Sequence, residues 1–597
     1  MNRNRDWKPT RKLWVLLRLL AIPLLVAPLH AATPADECLG LNRHGREAEA
    51  AKCFTRLVGL SDPYLRAEGY WGLGQYTEAR DEFQAAVKAQ PRNPNYRVRF
   101  GRMLLDRFNR QDAAALFSEA LEIKSDHAPA LVGLARIASA QFESKAVEFA
   151  QKALESDPKL VEAQELLARF ALEDSNEQKA IEEADKAIAM SPEALDALAI
   201  RATIDWMDEK PQSPWMDRIL RVNPRYGEAY ATAGYFFVIN RRYEEGIAFY
   251  RKAIELNPRL WEARAELGVN LMRLGQEQEA RQQLELCYNN GYRNAATVNT
   301  LRLMDSYKNF STYKTSNTIV RLHRKEAELL RPYVESELKR AIATYEKKYR
   351  MKLDRPVQVE MYPDHEDFAV RTMGMPGLGA LGVTFGYVVA MDSPSGRKPG
   401  SFHWDSTLWH ELSHVFVLGA TKHRVPRWFG EGMAVHEETA ASPDWGDRLD
   451  PQVILAMKEK KLLPIAELDR GFIRPRYPSQ VVVSYFQAGR ICDYIVSKWG
   501  YDKLLEMMHA FGAGKSTPEV VRQSLQTTPE AFDKEFLAWL EGQNRKTIDN
   551  FDQWRKQIQS IAASAKNKNH DEVIRQGTEI RDLYPDYVED GSVYEFL

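Results

Sequence analysis

His410-Glu411-Leu412-Ser413-His414 decides how the second half of this chain is read. Two histidines four apart lie on one face of a helix, a turn from each other, so both imidazoles can reach a single metal ion. Glu411, next to the first histidine, can point at a water on that ion and act as general base. Histidine is 12 of 597 residues. With Glu taken at about 7%, roughly 0.02 such motifs are expected by accident in a chain of this length. The spacing therefore reads as the zinc-binding helix of a metallohydrolase rather than as a surface helix with two solvated histidines.

Upstream, Asp405-Ser406-Thr407 offers N-cap chemistry for a helix running to about Leu418, and Gly419 can end it. Leu408, Trp409, Leu412, Val415, Phe416, Val417 and Leu418 make that helix apolar around the motif. Such a helix is buried, and buried histidines need partners. Downstream, Pro426 suits the first turn of a second helix, in which Glu431 stands beside Phe429 and Met433. A carboxylate in those surroundings is costly unless paired or metal-bound. Glu431, 17 residues after His414, is therefore the third candidate ligand, with His410 and His414. Three protein ligands leave a fourth position for water, the mark of a catalytic rather than a structural zinc, with one ion per chain.

HELSH followed by PRWFGEGMAVHEE (residues 426–438) resembles the gluzincin metallopeptidases, and among them the peptidase MA-like domains of bacterial envelope proteins. Their signature is HExxH and then a Pro-x-Trp-x-x-Glu-Gly-x-Ala helix. The resemblance runs over about residues 312–539 and is most specific at these two helices. It implies an α+β zinc peptidase domain with His410, His414 and Glu431 as ligands and Glu411 as catalytic base. One departure stands out. Some gluzincins place an acidic residue four after the glutamate ligand to orient a zinc histidine, and here that position is Val435. Glu438, one turn further and on the same face as Glu431, is the acidic group available to replace it; a differently built shell is the alternative. His403, His423, His436 and Glu437 read as capping or solvated side chains rather than ligands. Related enzymes also hold an extended substrate along an edge strand near the metal helix, for which residues 387–391 are the candidate, with plain sheet core as the simpler role. Similar enzymes take a tyrosine or histidine from a later helix to stabilise the oxyanion. Tyr485, 54 residues beyond Glu431, is the candidate, with packing as the simpler role.

Residues 35–310 are repetitive. Pro158 and Pro192 are 34 apart, as are Pro224 and Pro258, and Asn223-Pro224 and Asn257-Pro258 close corresponding units. Gly234, Tyr243, Gly246, Ala248, Tyr250 and Ala253 form the small-and-aromatic pattern of a helix-turn-helix unit, echoed by Gly268, Gly275, Ala280 and Leu284. The period looks like that of tetratricopeptide repeats, about eight of them. No such unit buries its own apolar face, so the units stack into a superhelix with a groove suited to a protein partner. Residues 561–587 suggest a further helix pair. Between repeats and metal helix, residues 317–323, 356–362 and 385–391 read as strands and 325–349 as a long charged helix.

The first 32 residues stand apart. Arg3, Arg5, Lys8, Arg11 and Lys12 precede a mostly apolar stretch over 13–29, and His30-Ala31-Ala32-Thr33 follows. This reads as a secretory signal peptide cut near Ala32 or Thr33, or else as an anchor that is kept. In an exported chain Cys38 and Cys53 are placed to form a disulfide, while Cys287 and Cys492 lie in apolar helical patterns as small buried hydrophobes. Basic and acidic residues number 82 and 83, a net charge of -1, which gives no electrostatic argument for nucleic acid. No apolar run after residue 40 is long enough to span a bilayer.

The expectation is a mainly α chain: signal peptide 1–32, repeat α-solenoid 33–310, α+β gluzincin-like zinc peptidase domain 311–545 and a C-terminal repeat-like helical segment 546–597. It is expected to be a periplasmic or cell-envelope peptidase acting on a protein or peptide substrate, with a protein partner in the repeat groove and no membrane span in the mature chain. The alternative is an envelope scaffold or assembly factor whose peptidase fold is idle. Hydrolysis of a non-peptide amide or ester uses the same ligands.

Overall fold

The computed structural model describes residues 33–597 apart from 399, 401 and 447; the expected signal peptide lies outside them. From Pro34–Arg43 and Glu47–Val58 to Trp261–Arg273 and Glu277–Asn289, eight antiparallel helix pairs follow one another, and a single helix, Ala295–Ser306, ends the array. Alanines and glycines let the helices approach: a side chain on Gly133 would run into Phe117, and one on Gly234 into Tyr250. Each pair packs on the next, so the core is a string of clusters and not a single centre. Cys38 and Cys53 join the first two helices in a disulfide, and Cys287 and Cys492 are free and buried.

The chain then forms a five-stranded sheet in the order β1-β2-β3-β5-β4. Its strands are β1 Phe310–Lys314, β2 Thr318–His323, β3 Val357–Tyr362, β4 Gly382–Phe385 and β5 Val388–Asp392. The central strands β2, β3 and β5 are parallel, and each end strand is antiparallel to its neighbour. Two details differ from the sequence expectation. β1 was not expected. The apolar run 385–391 is not one strand: Gly386, at φ 68°, turns the chain, and Phe385 pairs with Val388 across a tight hairpin.

The sheet is buried on both faces, which is why β5 reads as an unbroken apolar run. Val389 and Met391 pack with the metal helix Trp404–Thr421 and the long helix Ala327–Lys348. Val388 and Ala390, pointing the other way, pack with Tyr243, Leu267, Leu271 and Met304 of the last repeats. The period of two thus assigns one face to the metal helix and the other to the solenoid. On the solenoid side Glu360 of β3 is fully buried and held by Arg371, Arg321 and the Tyr362 hydroxyl. Arg321 also reaches Glu277, and Arg371 the carbonyl of Arg273, both in the eighth helix pair.

The repeats also dock along one rim. Arg474 is 4% exposed and bonds Glu173 and Asp174 at 2.8 Å each, and Arg424 pairs with Glu209. The helix Gln480–Trp499 packs against Arg427–Ala441, and a 38-residue helix, Pro529–Lys566, runs on from the domain. The boundary expected between 545 and 546 falls inside this one continuous helix. Its second half packs with His570–Ile580 and Tyr584, where a further helix pair was expected. No helix among the described residues is long and apolar enough to cross a membrane.

Under denaturing, non-reducing conditions a thiol reagent should label two cysteines per chain, Cys287 and Cys492, and four after reduction; four without reduction would remove the bridge. The closed loop of this size stabilises the fold by about 3 kcal/mol. Glu360→Ala strands Arg371 in the interior and should destabilise by about 3–5 kcal/mol, read as a lower denaturant midpoint. Burial alone would raise the Glu360 carboxyl, but Arg371 and Arg321 hold it down to about 2. The contribution of this pairing is therefore full at neutral pH and is lost only as pH falls toward about 2.

Candidate metal centre

The metal helix starts after His403 and continues through Gly419 to Thr421, where Lys422 takes the left-handed terminal position at φ 50°. Gly419 therefore does not end it, and the N-cap is His403, just ahead of the Asp405-Ser406-Thr407 stretch expected to supply it. The helix is wedged between the sheet and Arg427–Ala441, so its motif face is buried. Gly432 and Gly489 allow the second helix to lie close to Gln480–Trp499: a side chain on Gly432 would meet the backbone of Ala488.

This packing brings three expected ligands together. His410, His414 and Glu431 offer atoms all within 4.8 Å of one another. Glu431 Oε2 lies 3.3 Å from His410 Nε2 and 3.1 Å from His414 Nε2. Tetrahedral bonds of about 2.0–2.1 Å to one zinc set donor atoms roughly 3.3 Å apart, and the two glutamate–histidine distances match that separation. Burial opposes ionisation of Glu431, but His414, Arg241 and the bond to His410 hold its carboxyl well below the usual range. Burial likewise disfavours a charged His410, while Glu438, Glu431 and Glu411 raise its pKa well above the usual value. Three carboxylates around two imidazoles, with one guanidinium, make an environment that suits a cation.

Glu438 takes the place left by Val435. Its Oε1 lies 2.5 Å from His410 Nδ1, and its Oε2 accepts from the Ser406 hydroxyl at 2.7 Å. This fixes the ring so that Nε2 faces the centre. His414 has no such support: its buried Nδ1 is without a partner among the described residues. Glu411 is 5% exposed. Its Oε2 lies 2.6 Å from the hydroxyl of Thr384 on β4. Gly382 makes that approach possible, since a side chain there would collide with Glu411.

The strand expected at the substrate edge is corrected. Residues 388–391 lie in β5, which is hydrogen-bonded to β3 on one side and β4 on the other, and has no free edge. The edge strand beside Glu411 is β4. Tyr485 stands at the centre: its ring is 6.3 Å from that of His410, packed edge-on against Phe472. Its hydroxyl is kept protonated by burial and by Glu431. The residues read as bystanders are elsewhere engaged. His436 meets Asp493 at 2.6 Å, Glu437 binds Lys348 and the Tyr501 hydroxyl, His403 is exposed, and His423 lies by Gly386.

Two participants were not foreseen. Thr384 gave no signal beyond its place in a short strand. Arg241, from the seventh helix pair, donates through Nη2 to Glu431 Oε1 at 2.6 Å. Nothing in the repeat marks it: the matching turn holds Glu209 in the sixth pair and Gly275 in the eighth.

Residues 338–542 match the family model of the Peptidase MA superfamily, and residues 64–129 and 227–260 match models of tetratricopeptide repeats. No curated protein matches the chain. Among similar solved structures is YrrB, described as a TPR protein with an unusual peptide-binding site. It is 19% identical, with 30% of this chain and 95% of that chain covered and a TM-score of 0.20. TTC0263, a thermophilic TPR protein in Thermus thermophilus, is 18% identical, with 30% and 100% covered and a TM-score of 0.25. A tetratricopeptide repeat protein from Parabacteroides merdae is 15% identical, with 42% and 97% covered and a TM-score of 0.29. The chain joins a Peptidase MA superfamily domain to tetratricopeptide repeats.

Proposed function

We propose that the chain is an exported zinc-dependent peptidase that hydrolyses peptide bonds of protein substrates recruited by its repeat superhelix. The observation that carries this reading is the convergence of His410 Nε2, His414 Nε2 and Glu431 Oε2, with Glu411 on the same helix. His410, His414 and Glu431 would hold a zinc ion, which would supply Lewis acidity toward the scissile carbonyl and the attacking water. Glu411 takes the proton of the attacking water and hands it to the leaving amine. The Thr384 hydroxyl steadies the carboxylate between these two transfers. An extended peptide aligns with the edge of β4, which runs past Glu411 and has a free side to pair with. Tyr485, with its hydroxyl protonated, donates to the developing oxyanion. Export is supported by the basic and apolar segment at the N-terminus and by the disulfide, which persists in an oxidising compartment.

Substitutions separate binding from chemistry. Glu431→Ala should lose zinc and activity together, because two imidazoles hold zinc weakly. Glu411→Gln keeps all three ligands, so zinc should stay at about one per chain while hydrolysis of a peptide substrate falls on the order of a hundredfold or more. Full cleavage by Glu411→Gln would place the activity elsewhere. If neither change altered any activity or phenotype, the repeats would carry the function and the peptidase fold would be idle. Glu438→Ala frees the His410 ring and should weaken zinc about 10- to 100-fold in a chelator competition; unchanged affinity would deny Glu438 its orienting role.

A further inference from the structure

The rim of the solenoid that faces the peptidase domain is made of the turns inside successive helix pairs. In these turns one residue adopts the left-handed conformation: Ser175, Glu209, Arg241 and Gly275 in the fifth to eighth pairs. Asp174 at the first of these turns binds Arg474, and Glu209 at the second pairs with Arg424. Gly275 at the fourth lies against Gln358 and Val388 of the sheet. The third turn holds Arg241, at φ 62°, where glycine would be the unstrained residue. Its guanidinium has 19% side-chain exposure and meets a carboxylate with 3%.

The two oxygens of that carboxylate have different neighbours. Glu431 Oε1 receives Arg241 Nη2 at 2.6 Å, while Oε2 faces both histidine nitrogens. A carboxylate with both oxygens free can turn about its last bond, or offer both oxygens to an ion. With Oε1 fixed by a charged donor, only Oε2 is presented, in one orientation.

We propose that Arg241 is a positioning residue for the metal centre: by holding Glu431 Oε1 it presents Oε2 to the ion, so that the repeat array supplies part of the site it is fused to. This rests on the metal-binding reading of His410, His414 and Glu431. It assigns the solenoid a second task beside recruiting substrate, and it means that the peptidase domain cut from its repeats carries an impaired centre.

The test is zinc affinity of the full-length chain by competition with a chelator, with thermal unfolding of each metal-free variant measured alongside. Arg241→Ala should bind zinc about 10- to 100-fold more weakly than wild type. Arg241→Lys, which keeps a charged donor, should recover part of the loss. Arg241→Gln, which keeps length but not charge, carries the same test should the alanine variant not fold. Arg474→Ala breaks another contact of the same rim without touching Glu431 and should bind zinc like wild type. Wild-type affinity in Arg241→Ala or Arg241→Gln would overturn the proposal, as would an equal loss in Arg474→Ala, which would reduce Arg241 to one docking contact among several. A wild-type chain that binds no zinc would overturn the metal reading itself, and this proposal with it, so the two failures are distinct.

Discussion

A carboxylate sealed inside a protein beside Phe429 and Met433 must be surrounded by positive charge or hydrogen-bond donors, and the arrangement around Glu431 is built to that requirement. Its side chain is 3% exposed and meets two imidazoles on one oxygen and a guanidinium on the other. The imidazoles come from the neighbouring helix at i and i+4, and the guanidinium from a repeat 190 residues away. Packing decisions elsewhere serve this meeting. Gly432 draws the glutamate helix onto Gln480–Trp499, Gly382 lets β4 reach Glu411, and Glu438 holds the His410 ring.

The sheet makes the arrangement possible. A sheet with one solvated face would have left the solenoid as an appendage. Here alternate residues of β5 belong to different cores, Val389 and Met391 to that of the metal helix, Val388 and Ala390 to that of the last repeats. Glu360, Arg371 and Arg321 add a buried charged network on the solenoid side, with links into the eighth helix pair. The rim is therefore held in register with the peptidase domain at several points, and Arg241 is one of them.

What was legible in the sequence is what obeys a local period. The four-residue spacing of His410 and His414 and the seven-residue spacing of Glu431 and Glu438 are each statements about one helix face, and the structure places all four side chains together. The 34-residue spacing of the repeat prolines likewise describes one unit stacked on the next. The hairpin at Gly386 was hidden because both of its strands are apolar, so a run buried on two faces masked the turn; the one glycine inside it was the sign. The free edge, β4, could not be told from its neighbour because pairing partners are not written in either strand. Arg241 was hidden for a stronger reason. Its role comes from how the solenoid curves back onto the domain, and no spacing within 190 residues encodes that.

Coordination of one zinc ion by His410, His414 and Glu431 can be read at the metal itself, by X-ray absorption at the zinc edge of the purified full-length chain. The expected result is a four-coordinate first shell of nitrogen and oxygen donors at about 2.0–2.1 Å, with the scattering signature of two imidazoles and no sulfur. A chain that retains no zinc, or a first shell containing sulfur or lacking the imidazole signature, would contradict it.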